Sequence, residues 1–107
     1  MSLSTHILDL ERGLPAPGIK VSLWRDQVLL GTQHTDADGR CAGFIEAAAF
    51  EAGAYELVFE VADYFAKRSV STFYATIPIA FQITDVSRHY HVPLLLSPFG
   101  YSTYRGS

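Results

Sequence analysis

The chain has 107 residues and a mass of 11.8 kDa, which is the size of one domain with one hydrophobic core. Hydrophobic residues make up 49% of the chain and charged residues 18%, a balance that excludes intrinsic disorder. The net charge of −3 argues against a nucleic-acid partner, and the single cysteine excludes an intrachain disulfide. We therefore predict a single domain over residues 1–107.

Apolar residues recur at every second position in several short segments, which is the period of a β-strand. In chain order the predicted strands are residues 3–8, 19–24, 28–34, 42–45, 55–61, 79–84, 89–97 and 101–105.

Segments rich in glycine and proline separate the strands, at 12–18, 36–39, 51–53 and 97–100. Short strands at this spacing predict an all-β sandwich or barrel. Residues 62–69 break the pattern, because their good helix formers predict a helix of about two turns.

The sequence contains no apolar stretch of the length that a membrane span needs, so no membrane partner is expected. The first residues form no basic segment followed by an apolar one, and no peroxisomal tripeptide is visible at the end. The expected location is the cytoplasm, or the periplasm if a signal was trimmed.

The strand period also predicts which side chains point away from the core. In the first strand His6 and Leu8 lie on the face opposite the more apolar one, and in strand 89–97 the same holds for His91 and Leu95. An outward face that mixes leucine with histidine indicates an interface or a binding groove.

The histidines and one arginine are the candidate chemical groups. Neutral imidazole accepts a proton near pH 7, so His6 and His91 are candidates for proton transfer. Arg40 follows a turn and could bind a carboxylate or a developing oxyanion through its planar guanidinium. Taken alone, however, the pattern favours ordinary surface histidines and a solvated arginine.

Two other candidates are weaker. His89 and His91 share a strand face, as some metal ligands do, but there is no HExxH motif and no histidine-rich helix. No metal site is therefore predicted. Cys41 has no activating neighbour in sequence and is interpreted as a small buried residue.

The end of the chain is unusual in composition. Residues 97–107 are polar and aromatic rather than charged, whereas chain termini are commonly frayed and nondescript. We therefore expect this segment to be docked on the domain.

Two sequence segments carry a family resemblance. HVPLLLSP at 91–98 and the ending YRGS at 104–107 resemble the signature of the transthyretin-like 5-hydroxyisourate hydrolases. STHILD at 4–9, GLPA at 13–16 and TDADGR at 35–40 match the pattern of the same family. The hormone-carrying vertebrate transthyretins lack the YRGS ending, and they lack the histidines and the arginine at the matching positions.

This resemblance implies a β-sandwich of two four-stranded sheets with one short helix, assembled as a homotetramer with active sites in the channel between dimers. It implies hydrolysis of 5-hydroxyisourate in urate degradation, without a metal or an organic cofactor. The implied catalytic residues are His6, Arg40 and His91. The implied substrate-binding residues are Ser102, Tyr104, Arg105, Gly106 and Ser107.

The resemblance leaves some alternatives open. Either histidine could be the general base that activates water, and His6 is preferred on no strong ground. The main alternative function is a non-catalytic carrier of a small hydrophobic ligand such as an iodothyronine in the same channel. An adhesion-type structural sandwich is a weaker alternative, because it would not need a docked terminus.

Overall fold

The computed structural model describes residues 1–107, which form nine β-strands in two sheets, one short α-helix and one 3₁₀ turn at 47–49. The strands are β1 (Ser2–Asp9), β2 (Leu14–Pro15), β3 (Lys20–Arg25), β4 (Val28–His34), β5 (Arg40–Ala42), β6 (Gly53–Glu60), β7 (Thr76–Ile83), β8 (His89–Ser97) and β9 (Gly100–Thr103). The helix is α1 (Ala62–Ala66). The predicted all-β sandwich with one short helix is therefore confirmed.

One sheet has the order β2-β1-β8-β9, and the other has the order β4-β3-β6-β7. The expectation of two four-stranded sheets needs one correction, because β5 also pairs with β1 and makes the first sheet five-stranded. β8 occupies one side of β1, so β2 and β5 share the other side, β2 at Leu8 and Asp9 and β5 from Ser4 to His6. Two short segments thus fill the fourth strand position.

The two sheets enclose one core of 22 buried hydrophobic residues. The predicted alternation is confirmed on β1, where Leu3, Thr5 and Ile7 are buried and the residues between them are only half-buried. Burial of each large aliphatic side chain stabilises the fold by about 1.5–3 kcal/mol. The core therefore fixes which face of β1 and β8 is left for other contacts.

Some predicted boundaries are wrong for local backbone reasons. The strand predicted at 42–45 is β5, which ends before Gly43, a residue with φ +74°. The chain then turns so that the Phe44 carbonyl oxygen would lie 1.9 Å from a Cβ at Gly31, a position that only glycine can occupy. β9 ends at Thr103 rather than at residue 105, and α1 is shorter than the predicted 62–69.

None of the helices has the length and apolar character that crossing a membrane requires.

A buried carboxylate ties α1 to the first sheet. Asp9 is completely buried, and its Oδ1 accepts hydrogen bonds from the backbone N–H groups of Glu11 and Arg12. Its Oδ2 accepts a 2.7 Å hydrogen bond from the hydroxyl of Tyr64 on α1. Burial, together with this hydrogen bond, raises the pKa of Tyr64, so the phenol stays a donor near neutral pH.

Replacing Tyr64 with phenylalanine should therefore destabilise the protein, because a buried carboxylate oxygen loses its donor. The expected loss is about 1–3 kcal/mol in the free energy of unfolding, measured in urea at fixed protein concentration. Tyr74→Phe is the matched control, since the Tyr74 hydroxyl makes no hydrogen bond, and it should change stability by about 0.5 kcal/mol at most. Equal stability of the two variants would contradict this role of Tyr64.

Cys41 is buried on β5, on the core-facing side of the strand that carries Arg40 outward. Burial, aided by the negative charge of Asp36, raises the pKa of the thiol to about 12. The interpretation of Cys41 as a buried, unreactive residue agrees with this environment.

At about pH 8, only about one molecule in 10⁴ should carry the Cys41 thiolate, because the pKa is about 12. We expect the folded protein to resist labelling by a disulfide reagent and the urea-unfolded protein to react with one equivalent. Rapid labelling of the folded protein would show that the thiol is accessible and ionised.

Candidate active site

The outer face of the first sheet brings three of the predicted residues together. β1 runs parallel to β8, with Ser4 beside His91 and His6 beside Pro93. On the other side of β1, His6 is the register partner of Arg40 on β5. His6 therefore lies between Arg40 and the β8 strand, and His91 is its diagonal neighbour on the same face.

His91 is the most constrained of these side chains. Its Nδ1 lies 2.8 Å from the Ser4 Oγ, which leaves Nε2 without a protein partner. Burial is the main reason that the pKa of His91 lies below the ordinary 6.5. The positive charges of His89, Arg40 and His6 lower this pKa further, whereas hydrogen bonding to Ser4 raises it. His91 is therefore neutral near pH 7.

The end of the chain is docked against His91. Gly106 forms an isolated antiparallel bridge with His91, and its N–H donates to the His91 carbonyl oxygen at 2.8 Å. A Cβ at Gly106 would lie 2.4 Å from Cδ2 of the His91 ring. Only glycine lets the backbone approach the imidazole so closely, and Ser107 follows directly as an exposed residue.

Tyr104 and Arg105 line a cavity of about 230 Å³ between β7, β8 and the end of the chain, and His91 also contributes to its wall. The bridge at Gly106 continues the register of β9, so Tyr104 lies across from Pro93 and is largely exposed. The Arg105 guanidinium instead stacks on the ring of the core residue Tyr90, 4.6 Å from its centroid. Arg105 thus lies at the edge of the sandwich and not on the face of Arg40.

Ser102 is a predicted site residue that does not lie next to His91 within one copy of the protein. It is the register partner of Leu95, which is in turn beside Leu8 of β1. From position 91 to position 95 the strand rises by about 13 Å. Ser102 therefore shares the face of the two histidines but not their immediate neighbourhood.

Two residues that contact the site were not predicted. Ser4 lies between the imidazoles of His91 and His89, with its Oγ 3.0 Å from Nε2 of His89. Alternation places Ser4 and His89 on the correct face, but only the parallel register of β1 and β8 makes them neighbours. That register has no signal in the sequence.

The arrangement can move a proton and stabilise a negative charge. A neutral imidazole with one ring nitrogen held and the other free suits proton transfer. A guanidinium on the neighbouring strand suits an anionic oxygen. No group of three or more histidine, cysteine, aspartate or glutamate side chains lies close enough together to hold a metal ion.

The chain is similar both to 5-hydroxyisourate hydrolases and to a transthyretin. The chain is 49% identical over 114 residues to 5-hydroxyisourate hydrolase 2 of Rhizobium meliloti, covering 98% of this chain and 95% of that protein. The structure of Klebsiella pneumoniae 5-hydroxyisourate hydrolase matches with a TM-score of 0.89 and 41% identity over 100% of both chains. Sea bream transthyretin in complex with thyroxine matches with a TM-score of 0.89 and 30% identity over 97% of this chain and 93% of that one.

The profile of the HIUase/Transthyretin family matches residues 3–106, which is nearly the whole chain. The resemblance seen in the sequence is thereby confirmed: this chain belongs to the HIUase/Transthyretin family.

Proposed function

We propose that this chain hydrolyses 5-hydroxyisourate in urate degradation. The observation that carries the proposal is the convergence of His6, Arg40 and His91 on one face of the first sheet, against a docked chain end. In the reaction, water adds to C6 of the substrate and the C6–N1 bond breaks. N1 takes up a proton, and the new carboxyl group ionises, so no oxidant or reductant is needed.

His91 is the general base in this mechanism. The sequence offers no feature that separates His91 from His6, but the surroundings of the two rings differ. His91 is neutral near pH 7 and is held through Nδ1, so that Nε2 is free to take the proton of the attacking water. A positioned base of this kind accelerates a reaction by about 10²–10⁴-fold.

Arg40 and His6 act on the substrate rather than on the water. The Arg40 guanidinium stabilises the negative charge that develops on the C6 oxygen in the tetrahedral intermediate, an effect worth about 10²–10³-fold. His6, between Arg40 and the β8 strand, orients the substrate and protonates the leaving nitrogen. The side chains thus supply both functions, and the mechanism uses no cofactor.

The remaining predicted residues shape the pocket. Tyr104 is exposed across from Pro93, the register partner of His6, and in this proposal its ring contacts the substrate from that face. Gly106 and Ser107 bring the end of the chain against His91. Arg105 acts through its stacking on Tyr90, which holds the terminal segment in place.

The active assembly is a homotetramer with its sites in a channel between dimers. β7 and β9 are edge strands of the two sheets, and β7 and the end of β9 line the same cavity, which suits pairing of both edges with a second copy. The outward side chains Leu8 and Leu95 are half-buried apolar residues that suit the wall of a channel between copies. Ser102, distant from His91 within one chain, contributes to the channel from the same face.

A carrier of a hydrophobic ligand is the alternative, because the sea bream transthyretin structure contains thyroxine on the same fold. A carrier needs no proton-transfer group and no docked YRGS end. It would bind ligand in the channel without converting 5-hydroxyisourate, so the activity test separates the two functions.

The protein should accelerate the decay of 5-hydroxyisourate, generated by urate oxidase and followed by absorbance against a blank without the protein. Replacing either His6 or His91 with alanine should lower kcat/KM by about 10²–10⁴-fold. Arg40→Ala should lower it by about 10²–10³-fold, because the charge on the intermediate loses its partner.

The matched controls for these variants are His34→Ala on β4 and Arg68→Ala after α1, which change exposed residues away from the site. Light scattering should give a tetramer for every variant, so a lost activity is not a lost assembly. Rates close to wild type in all three site variants would refute the assigned roles, and an inactive wild-type tetramer would refute the function.

The close approach of Gly106 to His91 gives a second test. In Gly106→Ala the new Cβ would lie 2.4 Å from the imidazole, so the ring or the terminal segment must move. A displacement near 1 Å at a catalytic group costs about 10²-fold in rate. The control is Gly100→Ala, whose Cβ would lie at an ordinary 3.8 Å from the nearest side-chain atom. Full activity of Gly106→Ala would separate the chain end from the catalytic site.

A further inference from the structure

The side chains of Ser2, His89, Ser4 and His91 form one continuous hydrogen-bonded chain on the outer face of β1 and β8. Ser4 Oγ lies 2.8 Å from Nδ1 of His91 and 3.0 Å from Nε2 of His89. Nδ1 of His89 is hydrogen-bonded in turn to the hydroxyl of Ser2. Every ring nitrogen of the two histidines therefore has a partner except Nε2 of His91.

The direction of hydrogen-bond donation along these four side chains decides whether Nε2 of His91 can accept a proton. The Ser4 hydroxyl has one hydrogen, so it donates to one of the two imidazoles and accepts from the other. If Ser4 donates to His89, the proton of neutral His91 lies on Nδ1 and its Nε2 is a free acceptor. If Ser4 donates to His91, the proton lies on Nε2, and His91 cannot take a proton from water.

We propose that Ser4 and His89 are positioning residues that hold the proton of neutral His91 on Nδ1. This inference rests on the proposed function, in which Nε2 of His91 accepts a proton from water. His89 accepts the Ser4 hydrogen at Nε2 and donates from Nδ1 to Ser2, so Ser4 and His89 each donate once and accept once. Ser4 is thereby left as an acceptor for His91.

The geometry of the two rings fits one shared hydroxyl. The imidazoles of His89 and His91 are stacked within 17° of parallel, with centroids 6.3 Å apart. They come from positions two apart on β8, and Ser4 lies beside His91 in the register of β1. A serine at position 4 is therefore the one β1 side chain placed to contact both rings.

The end of the hydrogen-bonded chain at Ser2 and His89 reaches solvent. Ser2 and His89 are exposed, and both line an open surface depression of about 830 Å³ next to residues 42–49. Water in this depression can replace the Ser2 hydroxyl as a partner of His89. The position of the His91 proton therefore depends on Ser4 and His89 more than on Ser2.

The role of His89 as an acceptor is distinct from its charge. The charged and titratable groups that face His91 are His89, His6 and Arg40, and each lowers its pKa when positive. His89→Gln removes one of these charges but keeps an acceptor oxygen for Ser4. It should therefore retain kcat at neutral pH while the acid limb of the pH–rate profile moves toward higher pH.

The decisive variants are Ser4→Ala, which removes the bridging hydroxyl, and His89→Phe, which removes the acceptor and keeps a planar ring. Each should lower kcat by about 10–100-fold with KM unchanged, which is the loss seen when the hydrogen-bond partner of a metal-bound histidine is removed. Ser4→Thr and His89→Gln should restore most of kcat. His34→Gln and Ser71→Ala are the matched controls, since both change exposed residues outside the hydrogen-bonded network of Ser2, His89, Ser4 and His91.

The protonation of the ring is measured directly by ¹H–¹⁵N correlation of the histidine ring nitrogens at about pH 8, where imidazole is neutral. Wild-type protein should show His91 with its proton on Nδ1, and Ser4→Ala and His89→Phe should show it shifted to Nε2. A proton on Nε2 in the wild type, or no change in either variant, would overturn the inference. This measurement needs no turnover, so it tests the position of the His91 proton even if 5-hydroxyisourate is not the substrate. His89 is exposed, so His89→Phe serves if Ser4→Ala does not fold.

Discussion

The parallel pairing of β1 with β8 is the constraint on which the site depends. It runs in unbroken register from Ser2 beside His89 to Asp9 beside Leu96. Parallel neighbours cannot be joined by a tight turn, so the rest of the sandwich forms the connection between them. The pairing buries the apolar side of both strands and presents histidines from distant parts of the sequence on the other side. Without it, His6 and His91 would share no surface.

A rigid core holds this face in position. The inward neighbours of the site residues, Thr5, Cys41 and Val92, are buried, and the Thr5 hydroxyl donates to the Val92 carbonyl oxygen at 2.6 Å. Functional groups on packed strands are held more closely than groups on loops. The buried Asp9 carboxylate closes the end of the same strand through its bond to α1. The buried side of β1 therefore contributes to stability, and its outer side holds the site residues.

The sequence predicts the fold class and the faces because period-two alternation directly reflects burial, and β4 and β8 have the predicted bounds. It does not predict the strand end at Gly43, where backbone conformation overrides an apolar pattern. It identifies His6 and His91 by chemical type and by the family signature. It cannot identify Ser4 as a partner of His91, because serine is common on outward faces. Only the strand register places Ser4 beside the imidazoles of His91 and His89.

The order of synthesis gives the β1–β8 pairing a further consequence. Ser2 and His89 are bonded partners separated by 87 residues in the chain, so the ribosome makes the first strand long before its parallel neighbour. Contacts of such long range close late and slow folding. Until residues 89–97 emerge, β1 has a free edge open to intermolecular pairing, a situation that chaperones relieve. The face that carries His6 and His91 should therefore be one of the last parts of the domain to form.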